Sequence, residues 1–154
     1  NQASLYQGRA AYEQGNLDQA EPILSELVGE APDENGAEAQ YLLAKIQYDR
    51  GNYQQSIDAL YELNKKFGGY EDWLGKSFLL IAENYEAMDE VFQAKATLNS
   101  IIENSPDEEV VKTARERLAE IEMDEAEQRQ QQEALDSAKQ EQDNEIILEE
   151  PSNH

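Results

Sequence analysis

Leu5-Tyr6-Gln7-Gly8-Arg9-Ala10-Ala11-Tyr12-Glu13-Gln14-Gly15-Asn16-Leu17-Asp18-Gln19-Ala20 returns downstream as Tyr41-Leu42-Leu43-Ala44-Lys45-Ile46-Gln47-Tyr48-Asp49-Arg50-Gly51-Asn52-Tyr53-Gln54-Gln55-Ser56. It returns again, more loosely, as Leu79-Leu80-Ile81-Ala82-Glu83-Asn84-Tyr85-Glu86-Ala87-Met88-Asp89-Glu90-Val91-Phe92-Gln93-Ala94. An internal repeat decides the architecture before any single motif does, because each copy is one supersecondary unit that must stack on the next. Each copy predicts a helix, a turn and a second helix. Gly15 and Gly51 stand where a positive φ ends the first helix. Asp18 followed by Glu21 reads as a capping box opening the second, with Pro22 expected in its first turn, where amide donors lack intrahelical partners.

The pattern resembles the tetratricopeptide repeat family. Gly8, Ala44 and Ala82 match its first small position, and Ala20, Ser56 and Ala94 its second. Leu24, Leu60 and Leu98, then Leu27, Leu63 and Ile101, match the apolar positions later in the second helix. Pro32 and Pro106 match the closing proline, which Gly68 replaces in the middle copy. The resemblance covers residues 3–122 and implies an all-α, right-handed helical-hairpin solenoid. Small residues at facing positions let paired helices approach closely, and Leu and Ile at spacings of three and four bury one stripe.

The departures from the family pattern are local. Successive copies are offset by 36 and 38 residues, against a family period of about 34. The connectors near Asn35-Gly36 and Gly68-Gly69-Tyr70 are therefore expected to be longer. The third turn carries Asp89-Glu90 in place of Gly-Asn.

These features divide the chain into repeats at 3–34, 37–68 and 71–106 and a terminal helix at 107–122. In the last, Val110, Val111, Ala114, Leu118 and Ile121 form the apolar stripe. Residues 1–122 are then one repeat domain, and 123–154 an acidic, Glu/Gln-rich, polar C-terminal extension. That extension reads either as a lone helix or as a disordered linker. Its Ala126, Ala134, Leu135 and Ala138 do not sustain heptads.

Composition narrows the function. Of 154 residues, 34 are acidic and 12 basic, a formal net charge of -22, which repels phosphate backbones and anionic lipid. Nucleic acid and direct membrane insertion are not expected, and no apolar run reaches the roughly 18–20 residues of a span. No signal-peptide pattern opens the chain; beginning at Asn1 without Met, it reads as a processed or excised piece. Cysteine is absent, which leaves no disulfide framework or thiolate chemistry. The one histidine is His154, the last residue, so no histidine base is available to a packed site. Adjacent acids such as Glu108-Glu109 and Glu149-Glu150 lack the spacing of a calcium loop, and Gly68-Gly69 is followed by Tyr70 rather than the Lys-Ser of a phosphate loop. No catalytic residue, metal or cofactor is expected.

The resemblance implies a non-catalytic scaffold for a protein or peptide partner. First-helix residues of this family line a concave groove, which here gathers Leu5, Arg9 and Tyr12, then Tyr41, Lys45 and Tyr48, then Leu79, Glu83 and Glu86, with Lys76 nearby. Tyrosine and cations on the inner side of an acidic molecule suit an interface. Trp73, the only tryptophan, is expected to be buried between repeats. The carboxylate clamp by which some members hold chaperone C-termini maps onto Leu5, Arg9, Leu42, Lys76 and Leu80, and only two cations survive. The family's modules in bacterial cell-envelope assembly and transport suggest a periplasmic or envelope-associated place, with the cytoplasm as the other choice. The competing role is a structural segment of a longer solenoid serving assembly or oligomerisation. Finally, Ile146-Ile147-Leu148 between Glu145 and Glu149-Glu150-Pro151 reads as a linear motif for the groove, in cis or from a neighbouring copy, and hence as a route to self-association.

Overall fold

The computed structural model describes residues 2–30 and 32–149. Expectations placed on His154, Glu150 and Pro151 lie outside them. Seven α-helices occur among the described residues and no strand: α1 (Gln2–Glu13), α2 (Leu17–Glu30), α3 (Glu34–Asp49), α4 (Tyr53–Lys66), α5 (Glu71–Ala87), α6 (Val91–Asn104) and α7 (Glu108–Glu149). Two compact units meet in sequence at Leu118 and Ala119, inside α7. The first is a solenoid of helical hairpins; the second is helical through Glu149.

Each hairpin turn closes in the same way. The amides of Asn16, Asn52 and Glu90 donate to the carbonyls of Ala11, Gln47 and Tyr85 at 2.8–2.9 Å, the six-to-one bond of a Schellman helix end. That bond requires one left-handed residue just before it, supplied by Gly15 (φ 78°), Gly51 (φ 79°) and, in the third turn, Asp89 (φ 58°). Aspartate tolerates this region better than most side chains, so the third turn keeps its geometry without glycine.

Two expectations about α2 are corrected. The helix begins at Leu17, its first carbonyl acceptor being Asn16, whose oxygen takes the Ala20 amide at 3.0 Å. Pro22 therefore sits inside α2, beyond the first turn, and the Asp18 carbonyl loses the amide it would otherwise accept. Asp18 and Glu21 do not form a capping box either. Both carboxylates bind the Arg50 guanidinium, at 2.8 and 2.5 Å, tying α2 to the end of α3.

All six small repeat positions are buried, Ala20, Ala44, Ser56, Ala82 and Ala94 completely. Gly8 shows why size matters: a Cβ there would lie 2.6 Å from Leu24 Cδ2. Gly75 does the same for α7, where a Cβ would stand 2.9 Å from Val110 Cγ2. Ser56 adds a polar function to its small size. Its hydroxyl donates to the Ala44 carbonyl at 2.7 Å and accepts from Asn84 Nδ2 at 3.0 Å, linking α3, α4 and α5 within the core.

Each of the first five helices packs on its successor, and α1 with α3 and α3 with α5 also touch, so these three line up side by side. Capping is supplied where the sequence offers a short acid. Asp33 accepts from the Gly36 amide at the start of α3, and Asp107 from the Glu109 and Val110 amides at the start of α7. In the second unit helix replaces the alternative of a disordered linker, and α7 runs unbroken for 42 residues.

Candidate protein-binding groove

On α1, α3 and α5 the first-helix positions meet through a chain of aromatic and ionic contacts. Arg9 pairs with Glu38 of α3 and stands 5.8 Å from the Tyr6 ring centre. Tyr12 donates its hydroxyl to Asp49 at 2.8 Å, and the Lys45 ammonium lies 5.8 Å from the Tyr12 ring centre. Tyr41 meets Trp73 at 5.6 Å between ring centres, and Lys76 sits 4.4 Å over the indole. Tyr48 packs edge-on against Tyr53 at 5.6 Å. Of these, the contacts of Arg9 with Glu38, of Tyr12 with Asp49 and Lys45, and of Tyr41 with Trp73 join α1, α3 and α5.

Charge and burial set the protonation of this face. Burial pushes the Tyr41 phenol up, helped by the Glu83 carboxylate and opposed by Arg117. Tyr48 is raised by the same causes in the same order, with Tyr53 added beside Glu83. Tyr12 is raised by burial and then by its hydrogen bond to Asp49. The phenols therefore stay neutral donors at ordinary pH. Lys45 and Lys76 lean on aromatic rings, and no carboxylate lies within ion-pair distance of either among the described residues. Such cation–π placements contribute about 0.5–2 kcal/mol each, depending on exposure.

The sequence-predicted residues divide by environment. Arg9, Tyr12, Tyr41, Lys45, Tyr48, Leu79 and Glu83 are half-buried, while Lys76 and Glu86 are exposed. Leu5 is corrected: only 5% exposed, it belongs to the core cluster of Leu24, Leu27 and Leu42 and offers a ligand little surface. A leucine at this position ends within the helix interface, whereas Tyr41, its counterpart one repeat later, is long enough to reach Trp73. Leu42 and Leu80 are buried as well, so three of the five clamp positions lie in the core.

Trp73 is half-buried rather than enclosed, and its Nε1–H is buried with no hydrogen-bond partner among the described residues. A donor left so costs about 1–3 kcal/mol. One residue that the repeat pattern did not single out joins the face. Arg117 of α7 pairs with Glu83 at 3.4 Å and donates to the Leu79 carbonyl at 3.4 Å. It sits 38 residues from Leu79 in sequence, so no local spacing signals it.

A separate apolar concavity of about 260 Å³ opens between α5, α6 and the start of α7, lined by Leu74, Phe78, Ile101, Pro106 and Val110. Among the described residues no group of three or more acidic or histidine side chains is placed to hold a metal ion, and no helix is long and apolar enough to cross a membrane.

A tetratricopeptide repeat family model matches residues 2–34, 38–69 and 76–108. Those limits coincide closely with the three hairpins α1–α2, α3–α4 and α5–α6. No curated protein matches the chain. Repeats of this kind commonly mediate protein–protein interaction and typically form non-catalytic scaffolds. With three repeats matched over more than half its length and three stacked hairpins in its fold, the chain belongs to the tetratricopeptide repeat family.

Proposed function

We propose that the chain is a non-catalytic scaffold that holds a peptide or protein segment in a concave groove along α1, α3 and α5. The observation that supports this most is the placing of Lys45 and Lys76 on aromatic rings, without carboxylate partners among the described residues, in a chain of net charge -22. Both offer ammonium groups beside Tyr12, Tyr41 and Trp73, residue types that combine apolar area with a polar end and anchor interfaces.

The test is a peptide-display selection against the full chain, followed by titration of the selected sequences into wild type and into Trp73→Ala, Tyr41→Ala and Lys45→Ala. Truncating a central anchor weakens binding by roughly 30-fold or more, the effect of about 2 kcal/mol. Selected peptides that bind all variants equally would overturn the groove.

A second reading, a structural segment whose faces join further repeats, is favoured by one feature. Tyr6 is 73% exposed and borders a concavity of about 570 Å³ with Leu5, Arg9, Glu34 and Glu38. If that face is the working surface, Tyr6→Asp abolishes association while Trp73→Ala leaves it intact.

A further inference from the structure

We propose that the groove takes the C-terminal segment of a second copy of this chain, residues 143–149, so that two chains exchange these segments. The inference rests on the groove reading above and names an occupant for it. Ile146, Ile147 and Leu148 are 55%, 68% and 84% exposed, the only run of consecutive exposed large apolar residues among those described. They lie in α7. At helical spacing Asp143, Ile146 and Ile147 share one face, while Glu145 and Glu149 stand one turn apart beside it. The segment thus combines two aliphatic anchors with three carboxylates, the arrangement of a helix recognised in a groove.

The groove has the complementary chemistry. Trp73 and Tyr41 offer apolar rings, and Lys45 and Lys76 offer cations that have no carboxylate partner among the described residues. Elsewhere the chain is overwhelmingly acidic, so a carboxylate-rich segment has few other places to dock on it. The 42 residues of α7 contain neither Gly nor Pro, the residues at which a chain most readily reverses, which argues for a second copy as the source of the segment. Charge pairing across a Debye length of about 8–10 Å fixes orientation locally despite the net repulsion of two acidic chains, and salt weakens it.

Sedimentation of the full chain over a wide concentration range tests this. The wild type is expected to show a reversible monomer–dimer equilibrium that weakens at high salt. Ile147→Asp is expected to raise the dissociation constant about tenfold or more. Lys76→Glu and Glu145→Lys each place like charges across both contacts of a symmetric pair and leave each chain monomeric. Mixed together, the two variants carry opposite charges at both contacts and dimerise again. A wild type that remains monomeric up to about millimolar concentration, a dimer indifferent to Ile147→Asp, or a variant mixture as monomeric as its components would overturn the proposal. A wild-type monomer that still binds a displayed peptide through Trp73 defeats this inference alone. If no peptide binds through Trp73 either, the groove reading fails with it.

Discussion

The Lys76 ammonium stands 4.4 Å over the centre of the Trp73 indole, and the Tyr41 ring meets that indole at 5.6 Å. A lysine from the second turn of α5 is thereby held on the same face as a tyrosine from α3. Because Trp73 is the only tryptophan, its emission reports on this face and on nothing else.

Occupation of the groove is therefore expected to shift Trp73 emission, and the shift provides a binding isotherm without a label. Lys76→Met keeps the aliphatic stem but removes the charge, and Lys45→Met does the same beside Tyr12. Each is expected to weaken an acidic ligand about three- to tenfold at low salt and less at high salt. Equal affinities for wild type and both variants at low salt would show that neither ammonium touches the ligand.

Ala44 and Ala94 are fully buried, Ala44 in a cluster with Leu60, Leu80 and Ile81. Replacing either with leucine forces added methylenes into a close helix contact. The expected loss is about 1–3 kcal/mol apiece by urea unfolding. Two variants as stable as wild type would contradict the repeat register.

The core register and the turns were legible in the sequence because they are local: small residues and leucines at helical spacing dictate which faces close, and Gly15 and Gly51 dictate where a helix ends. What escaped was non-local. Asp18 and Glu21 have the spacing of a capping box, and only the arrival of Arg50, about 30 residues away, shows that they serve an ion pair. Pro22 misled for a related reason, since the start of α2 is set by the turn at Gly15 and not by the proline. Arg117 joined the groove from α7, and Leu5 left it, because a position shared by all repeats says which way a side chain starts and not how far it extends. Ser56 read simply as small; its hydroxyl bridge to Ala44 and Asn84 depends on where α5 comes to rest.

Alkaline pH provides an independent check on the packed tyrosines. The Tyr85 phenol is pushed up to about 12, first by its hydrogen bond with Tyr61 and then by burial, and Tyr12, Tyr41 and Tyr48 are also raised. In the unfolded chain tyrosine ionises near pH 10. The folded state therefore holds protons that the unfolded state releases above that pH, and by linkage its stability is fully present below about pH 10 and falls as pH rises toward 12. Urea midpoints at pH 8, 10 and 11.5 are expected to decline only over the last interval, and Tyr85→Phe to make that decline shallower. A midpoint that is flat to pH 11.5 would contradict the raised phenols.

No described residue from Glu122 to Glu149 is buried. Removing residues 124–154 is accordingly expected to lower the total helical signal while leaving the cooperative melt of the repeats and its midpoint nearly unchanged. A large fall in midpoint would show that the repeats depend on the extension.

The working surface proposed for the chain is the face of α1, α3 and α5. Amide and indole chemical-shift mapping of the full chain, titrated with a display-selected peptide, tests it most directly. The largest shifts are expected at Tyr12, Tyr41, Lys45, Trp73 and Lys76. Shifts confined to the apolar concavity around Phe78 and Ile101, or to the outer helices α2, α4 and α6, would contradict it.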